Sequence, residues 1–162
     1  MQLYFVPKWN EVGESGDSVF RGKFTHNIDA KGRLSFPAKF REVLAGNFEE
    51  KLIVIKYNRC LRAYPLSEWI AFENARNKQY RTPAQEETLR MVLGSLGECG
   101  FDKQGRVLIP QDLRDYAGLN KEVVLVGVFN KIEIWASQRW DEEVLRVQES
   151  QDLPEALAQL GL

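Results

Sequence analysis

The chain has 162 residues, 44% of them apolar and 28% charged, with 22 basic and 23 acidic side chains and a formal net charge of −1. That length suits one mid-sized domain or two small ones joined, and the composition is that of a globular protein rather than a disordered or fibrous one. No apolar run approaches the ~20 residues that span a bilayer, and Met1 to Pro7 has no basic flank, so neither a membrane span nor a secretory signal is expected and the predicted location is the cytoplasm.

Residues 1–19 are read as an N-terminal extension. Beyond it, β-prone Phe24 to Ile28 and Arg33 to Phe36 flank Asp29-Ala30-Lys31-Gly32. Asp at the first position and Gly at the fourth are type I turn preferences, so a tight hairpin is predicted. Pro37 is placed at the first position of a short helix running to about Leu44. A buried strand, Leu52 to Lys56, and its partner, Cys60 to Tyr64, turn at Asn58-Arg59. The next helix carries Trp69, Phe72 and Ala75 to Tyr80. Thr82-Pro83-Ala84-Gln85 is a capping box with proline in the first turn and opens a linking helix to about Leu93.

The second half runs through the same series. Asp102-Lys103-Gln104-Gly105 is a turn, and Pro110 starts a helix that Gly118 stops after about Ala117. Val123 to Phe129 pairs with Ile132 to Trp135 through Asn130-Lys131, and Trp140, Val144 and Val147 lie at helical spacing. Asp152-Leu153-Pro154-Glu155 carries the same start signal for a last short helix. The predicted class is α+β, β-rich at its centre.

The parallel between the halves is an internal repeat. Residues 29–41 and 102–114 share five of thirteen positions (Asp, Gly, Arg, Pro, Arg), and three more keep apolar character. Chance identity of roughly 6% per position predicts fewer than one match. The boundaries that follow are 20–80 for unit one, 81–96 for the linking helix, 97–140 for unit two and 141–162 for an acidic helical tail. Tyr64, Trp69, Trp135 and Trp140 recur at matched positions and are assigned to core packing. Cys60 and Cys99, without a Cys-x-x-Cys or a neighbouring histidine, are expected to be buried free thiols.

Charge is unevenly spread. Residues 21–41 hold Arg21, Lys23, Lys31, Arg33, Lys39 and Arg41 against Asp29, a net of +5, whereas 141–162 net −5 and the matching stretch 97–117 nets −1. Unit one is therefore expected to do most of any nucleic-acid reading and unit two mainly to complete the fold.

A strand, Asp-x-x-Gly-Arg, a strand, proline and a short helix, all occurring twice, resembles the MraZ family. The likeness runs from Phe20 to Leu162 through Phe20-Arg21-Gly22, Asp29-x-Lys31-Gly32-Arg33, Asp102-x-x-Gly105-Arg106, Val124 to Gly127 and Phe129 to Trp135. The resemblance implies duplicated AbrB-like swapped-hairpin units packed as an intramolecular pseudo-dimer barrel with flanking helices. It also implies a nucleoid-associated transcriptional regulator that binds double-stranded DNA at direct repeats upstream of its own division and cell-wall gene cluster, as a homo-oligomeric ring. With one repeat per neighbouring subunit, repeats should recur about every 10 bp. Two departures stand out. Val19 occupies the place where the family begins with methionine, so residues 1–18 are either an upstream over-call of the gene or an N-terminal arm. Gln104 replaces the counterpart of Lys31, with Lys103 one residue earlier.

The candidate DNA-binding residues are Arg21, Lys23, Lys31, Arg33, Lys103 and Arg106. Asp29, Gly32, Asp102 and Gly105 are assigned to building the turns. Arg33 is assigned to DNA because Lys31 beside it has no evident structural task, while Arg106 is open between a DNA contact and a hairpin staple. Arg21 and Lys23 are expected on the strand entering the turn, near backbone phosphates. No catalytic or metal-binding residues, cofactor, small-molecule substrate or membrane partner are assigned. His26 is the sole histidine, and the adjacent glutamate pairs read as solvated surface. The rival class is a ring-forming interaction protein without specific DNA binding.

Overall fold

The computed structural model describes residues 19–47 and 49–162; residues 1–18, and with them both readings of the N-terminal extension, lie outside the described residues. The elements are β1 (Phe20–Asn27), β2 (Arg33–Ser35), α1 (Ala38–Gly46), β3 (Lys51–Tyr57), β4 (Cys60–Pro65), α2 (Leu66–Arg76), α3 (Pro83–Ser95), β5 (Gly97–Gly100), β6 (Arg106–Leu108), α4 (Gln111–Ala117), β7 (Glu122–Phe129), β8 (Lys131–Ala136), α5 (Ser137–Gln148) and α6 (Leu153–Gln159). The chain is α+β with antiparallel strand pairs throughout.

Six strands form one sheet in the order β1-β7-β8-β4-β3-β5, and β2 and β6 form a separate two-stranded ribbon. The outermost pairings cross between the units. β1 of the first lies against β7 of the second over its whole length, Phe20 opposite Phe129 to Asn27 opposite Glu122. β5 of the second lies against β3 of the first. The predicted hairpin is therefore corrected: its turn is present, but its arms meet only at the Ile28–Leu34 bridge and then part to different partners.

Cross-strand partners share a face of a sheet, so the pairings define two sides. Leu61, Ala63, Ile132 and Ile134 face the main core and are fully buried, together with Leu34 and Val107 of the ribbon, Phe36 and Ile109 just after it, and Phe40 and Leu113 of α1 and α4. Phe20 and Phe24 both meet the Phe40 ring edge-on, at 5.4 and 5.1 Å. The opposite, outer face carries Arg62 paired with Glu133 at 3.1 Å at its centre. Ile53, Ile55 and Trp69 cluster on one side of that pair; Val124 and Trp135 with partly buried Trp140 cluster on the other. The matched aromatics thus pack as expected, in the ring pairs Tyr64–Trp69 and Trp135–Trp140.

Local signals set most boundaries. Thr82 Oγ1 accepts from the Gln85 amide and Gln85 Oε1 from the Thr82 amide, closing the predicted capping box. Gly118 ends α4 in the left-handed region at φ 66°. Four expectations shift. Pro37 and Pro110 sit just before their helices as N-caps, with ψ of 141° and 147°, rather than inside them. α2 stops at Arg76, leaving Tyr80 outside it. The β7–β8 turn is Phe129-Asn130 rather than Asn130-Lys131, because Val128 already pairs with Lys131 and Phe129 takes φ 58°. Asp152 precedes α6 without a side-chain cap, since its own backbone is already helical. Cys60 and Cys99 are free and buried.

Candidate nucleic-acid interface

Each Asp-x-x-Gly-Arg segment builds the same turn from its own side chains. Asp29 Oδ1 accepts from the amides of Lys31 and Arg33 at 3.0 and 2.9 Å, while Oδ2 accepts from Arg33 Nε at 2.6 Å. In the second unit Asp102 Oδ1 accepts from the Gln104 and Arg106 amides, both at 2.9 Å, and Oδ2 from Arg106 Nε at 2.9 Å. The backbone closes both with Gly32 and Gly105 at φ 90° and 73°, the left-handed residue that follows a type I turn in a three-residue hairpin loop. The Arg33 amide bond is the first cause holding the Asp29 carboxyl below its ordinary range, with the guanidinium adding to it. The Arg106 amide does the same for Asp102.

The ribbon then brings the two turns together. Arg33 lies opposite Leu108, Leu34 opposite Val107 and Ser35 opposite Arg106. Leu34 and Val107 point inward and are fully buried. The outward face therefore carries Arg33, Ser35, Arg106 and Leu108, with the arginines diagonal neighbours whose Cα atoms lie about 7–8 Å apart. The pairing maps onto itself when the units are exchanged, so a local two-fold axis passes through the Leu34–Val107 pair. Among the described residues no hydrogen bond engages the terminal nitrogens of Arg33 or Arg106, and Arg21, Lys23, Lys31 and Lys103 pair with no carboxylate.

Charge counted along the chain does not survive as a patch. Phe20 and Phe24 turn to the core, so Arg21 and Lys23, alternating with them on β1, project from the outer face with Val128 and Val126. They sit on the strand entering the turn, on the opposite side of the sheet from the ribbon. Arg41 folds back along its own chain, its Nε donating to the Phe36 carbonyl at 3.1 Å. Arg114, its counterpart, donates to the Ile109 carbonyl at 2.9 Å. Of the six basic residues in 21–41, Lys31 and Arg33 are the two in the turn and the start of β2.

Arg41 and Arg114 have a role that spacing did not reveal. A Cβ placed on Gly105 would lie 2.8 Å from Arg41 Nη1, and one on Gly32 would lie 2.6 Å from Arg114 Nε. Each unit's arginine thus covers the other unit's turn glycine. Ile109 donates to the Gly32 carbonyl at 2.8 Å, and Phe36 to that of Gly105 at 3.3 Å. The signal available in sequence was the identity of both arginines in the repeat; which glycine each would meet was not.

A duplicated α+β chain with two aspartate-braced arginine turns on one ribbon is the class defined by these observations. A sequence model of the MraZ protein family matches residues 19–91 and again residues 92–159, and the chain belongs to that family. Its relatives include a protein of Syntrophobacter fumaroxidans, 42% identical over 91% of this chain and 99% of its own length. Another, from Pediococcus pentosaceus, is 41% identical over 89% of this chain and all of its own length. A third, from Desulforamulus reducens, is 43% identical over 76% of this chain and 85% of its own. Each bears the name transcriptional regulator MraZ. No helix of the described residues is long and apolar enough to cross a membrane.

Proposed function

We propose that the protein is a sequence-specific transcriptional regulator that reads double-stranded DNA with the outward face of the β2–β6 ribbon. The observation that carries this is the placement of Arg33 and Arg106, one from each unit, on a single face above a fully buried Leu34–Val107 pair. The B-DNA major groove admits a two-stranded ribbon, and a guanidinium fork suits guanine O6 and N7. Each aspartate holds its arginine by Nε, which orients the fork and leaves its far edge for a base. Lys31 and Lys103 flank the face and serve phosphate contacts. Arg21 and Lys23, on the other side of the sheet edge, are assigned phosphate contacts that add affinity without sequence preference. Because both arginines share one face, we assign the reading to both units rather than mainly to the first.

The names of the relatives support a regulator's role. In keeping with the family resemblance, we read the two units as swapped hairpins closed on each other as an intramolecular pseudo-dimer barrel. We read the assembly as a homo-oligomeric ring in the nucleoid, each subunit taking one direct repeat upstream of its own division and cell-wall gene cluster. Linked weak sites give avidity that no single subunit needs.

The test is titration into the DNA upstream of its own gene and into a shuffled control at several salt concentrations, with Arg33→Ala/Arg106→Ala in parallel. Preference for the native fragment, lost at least tenfold in the double variant, is expected, since each bidentate base contact contributes about 1–3 kcal/mol of discrimination. Weak, equal binding to both DNAs with no effect of the substitutions would replace this reading with a ring-forming interaction protein whose arginines only staple their hairpins.

A further inference from the structure

We propose that the C-terminal segment of one copy, centred on α6, docks into the groove between α2 and α3 of a second copy, joining subunits head to tail. This rests on the homo-oligomer reading above and names the two surfaces that would make it.

The acceptor is on the outer face of the sheet. Ile55, Tyr64 and Trp69 floor an open cavity of about 450 Å³, walled by Phe72 and Leu89. It lies beside a second cavity of about 700 Å³ between α2 and α3, which shares Phe72 and Leu89. Tyr57 and Phe72 remain 41% and 38% exposed although they border an aromatic cluster. Contiguous exposed apolar surface of this kind marks an interaction site more often than a solvated one. Arg62, Arg76, Arg81 and Arg90 line the two cavities against Glu73 and Glu86, so the lining nets +2.

The donor is opposite in charge, and its last helix has no buried residue. Leu157 and Leu160 are 39% and 75% exposed, and residues 149–162 carry Glu149, Asp152 and Glu155 with no basic side chain.

The internal duplication shows that an outer face of this kind seats a helix of this type. At the 71-residue offset that relates Tyr64 to Trp135 and Trp69 to Trp140, Pro83 at the start of α3 corresponds to Pro154 in α6. In unit one, α3 lays Val92, and Leu96 just past its end, against the Ile53–Ile55–Trp69 cluster. In unit two the matching cluster of Val124, Trp135, Val126 and Trp140 includes no residue of α6. The outer face thus already seats one helix of this type, the open groove beside it has the same apolar floor with a basic rim, and α6 is the counterpart helix without a seat. Donor and acceptor are different patches, so the contact is heterologous, the type of contact from which a ring is built when its rotation closes.

The experiment uses the full chain with Phe72→Asp in the groove or Leu157→Asp/Leu160→Asp in the tail, all at exposed positions, with circular dichroism and melting to confirm that each variant folds. Native mass spectrometry reads the assembly. Wild-type protein is expected to form a closed oligomer and each variant alone a monomer. A 1:1 mixture of the two variants is expected to form a dimer and nothing larger, because only one intact groove and one intact tail remain to meet. Folded variants that keep the wild-type assembly would overturn the proposal while leaving the oligomer intact. Variants that dissociate and stay monomeric when mixed would also overturn it, in favour of a contact between identical patches. A monomeric wild type would instead overturn the oligomer reading itself, and this inference with it.

Discussion

Asp29 and Asp102 each satisfy two backbone amides and one guanidinium with a single carboxylate. Both are depressed below the ordinary carboxylate value of about 3.9, first through the amide of their arginine. A carboxyl whose folded value is lowered contributes stability above its unfolded value and loses it as pH falls through the folded one. The melting temperature should therefore fall below about pH 4, and Asp29→Asn/Asp102→Asn should flatten that part of the curve; an unchanged curve would remove the turns from the acid response. Gly32 faces a stricter demand. Its φ of 90° and the approach of Arg114 Nε both exclude a side chain, so Gly32→Ala should cost about 1–3 kcal/mol in denaturant unfolding. At the thiols burial is the leading cause, with nearby carboxylates adding to it. Desolvation pushes Cys60 up to about 12 and Cys99 to about 11, so neither should alkylate at pH 8 until the chain is unfolded.

At the scale of elements, the ribbon is the part most exposed to loss. β2 and β6 have three residues each, so a single pair, Leu34 with Val107, anchors the face above it. Leu34→Ala should cost about 2–5 kcal/mol, and it should weaken DNA binding further than its effect on global stability explains; anisotropy titration beside a melt separates the two. How legible an element was depended on how local its cause is. The Asp-x-x-Gly-Arg turn, the Thr82–Gln85 box and the Gly118 stop are decided within five residues, and all three are found where the sequence puts them. The pairing of Phe20 with Phe129 has no local signal, so the hairpin reading gave the arms the wrong partners. The turn after β7 falls one residue earlier than Asn130-Lys131, with Phe129 taking the positive φ, and no residue preference in the sequence points to a phenylalanine there. For the candidate site, sequence supplied the arginines but not their meeting on one face. Summed charge also credited the region with Arg41, whose guanidinium lies over Gly105 with its Nε on the Phe36 carbonyl, away from the outward face of the ribbon.

On the scale of the whole molecule, the crossed pairings make the halves interdependent. Without the second half, β3 lacks β5, β2 lacks β6 and β1 has no strand beside it. A fragment ending before Gly97 should show no cooperative melt alone, and adding the complementary fragment should restore one; independent folding of the first would sink this account. The DNA reading has a global signature as well. The log-log salt dependence of binding should flatten by ~0.9 for each phosphate contact removed. Lys31→Ala/Lys103→Ala should therefore lower the slope by up to about 1.8, whereas the sequence preference should stay with Arg33 and Arg106.

The axis through Leu34 and Val107 relates two stretches that share a scaffold without being copies. A ribbon made by two identical chains is the same read from either end, and so is the DNA that suits it. Here Lys31 is answered by Gln104 and Ser35 by Leu108, substitutions that leave the buried pair and the braced turns untouched. Joining the halves in one polypeptide frees each to drift while the other holds the geometry, and the outcome is a surface with a head and a tail. Under the proposed DNA reading, such a surface would tell which way along the double helix it lies.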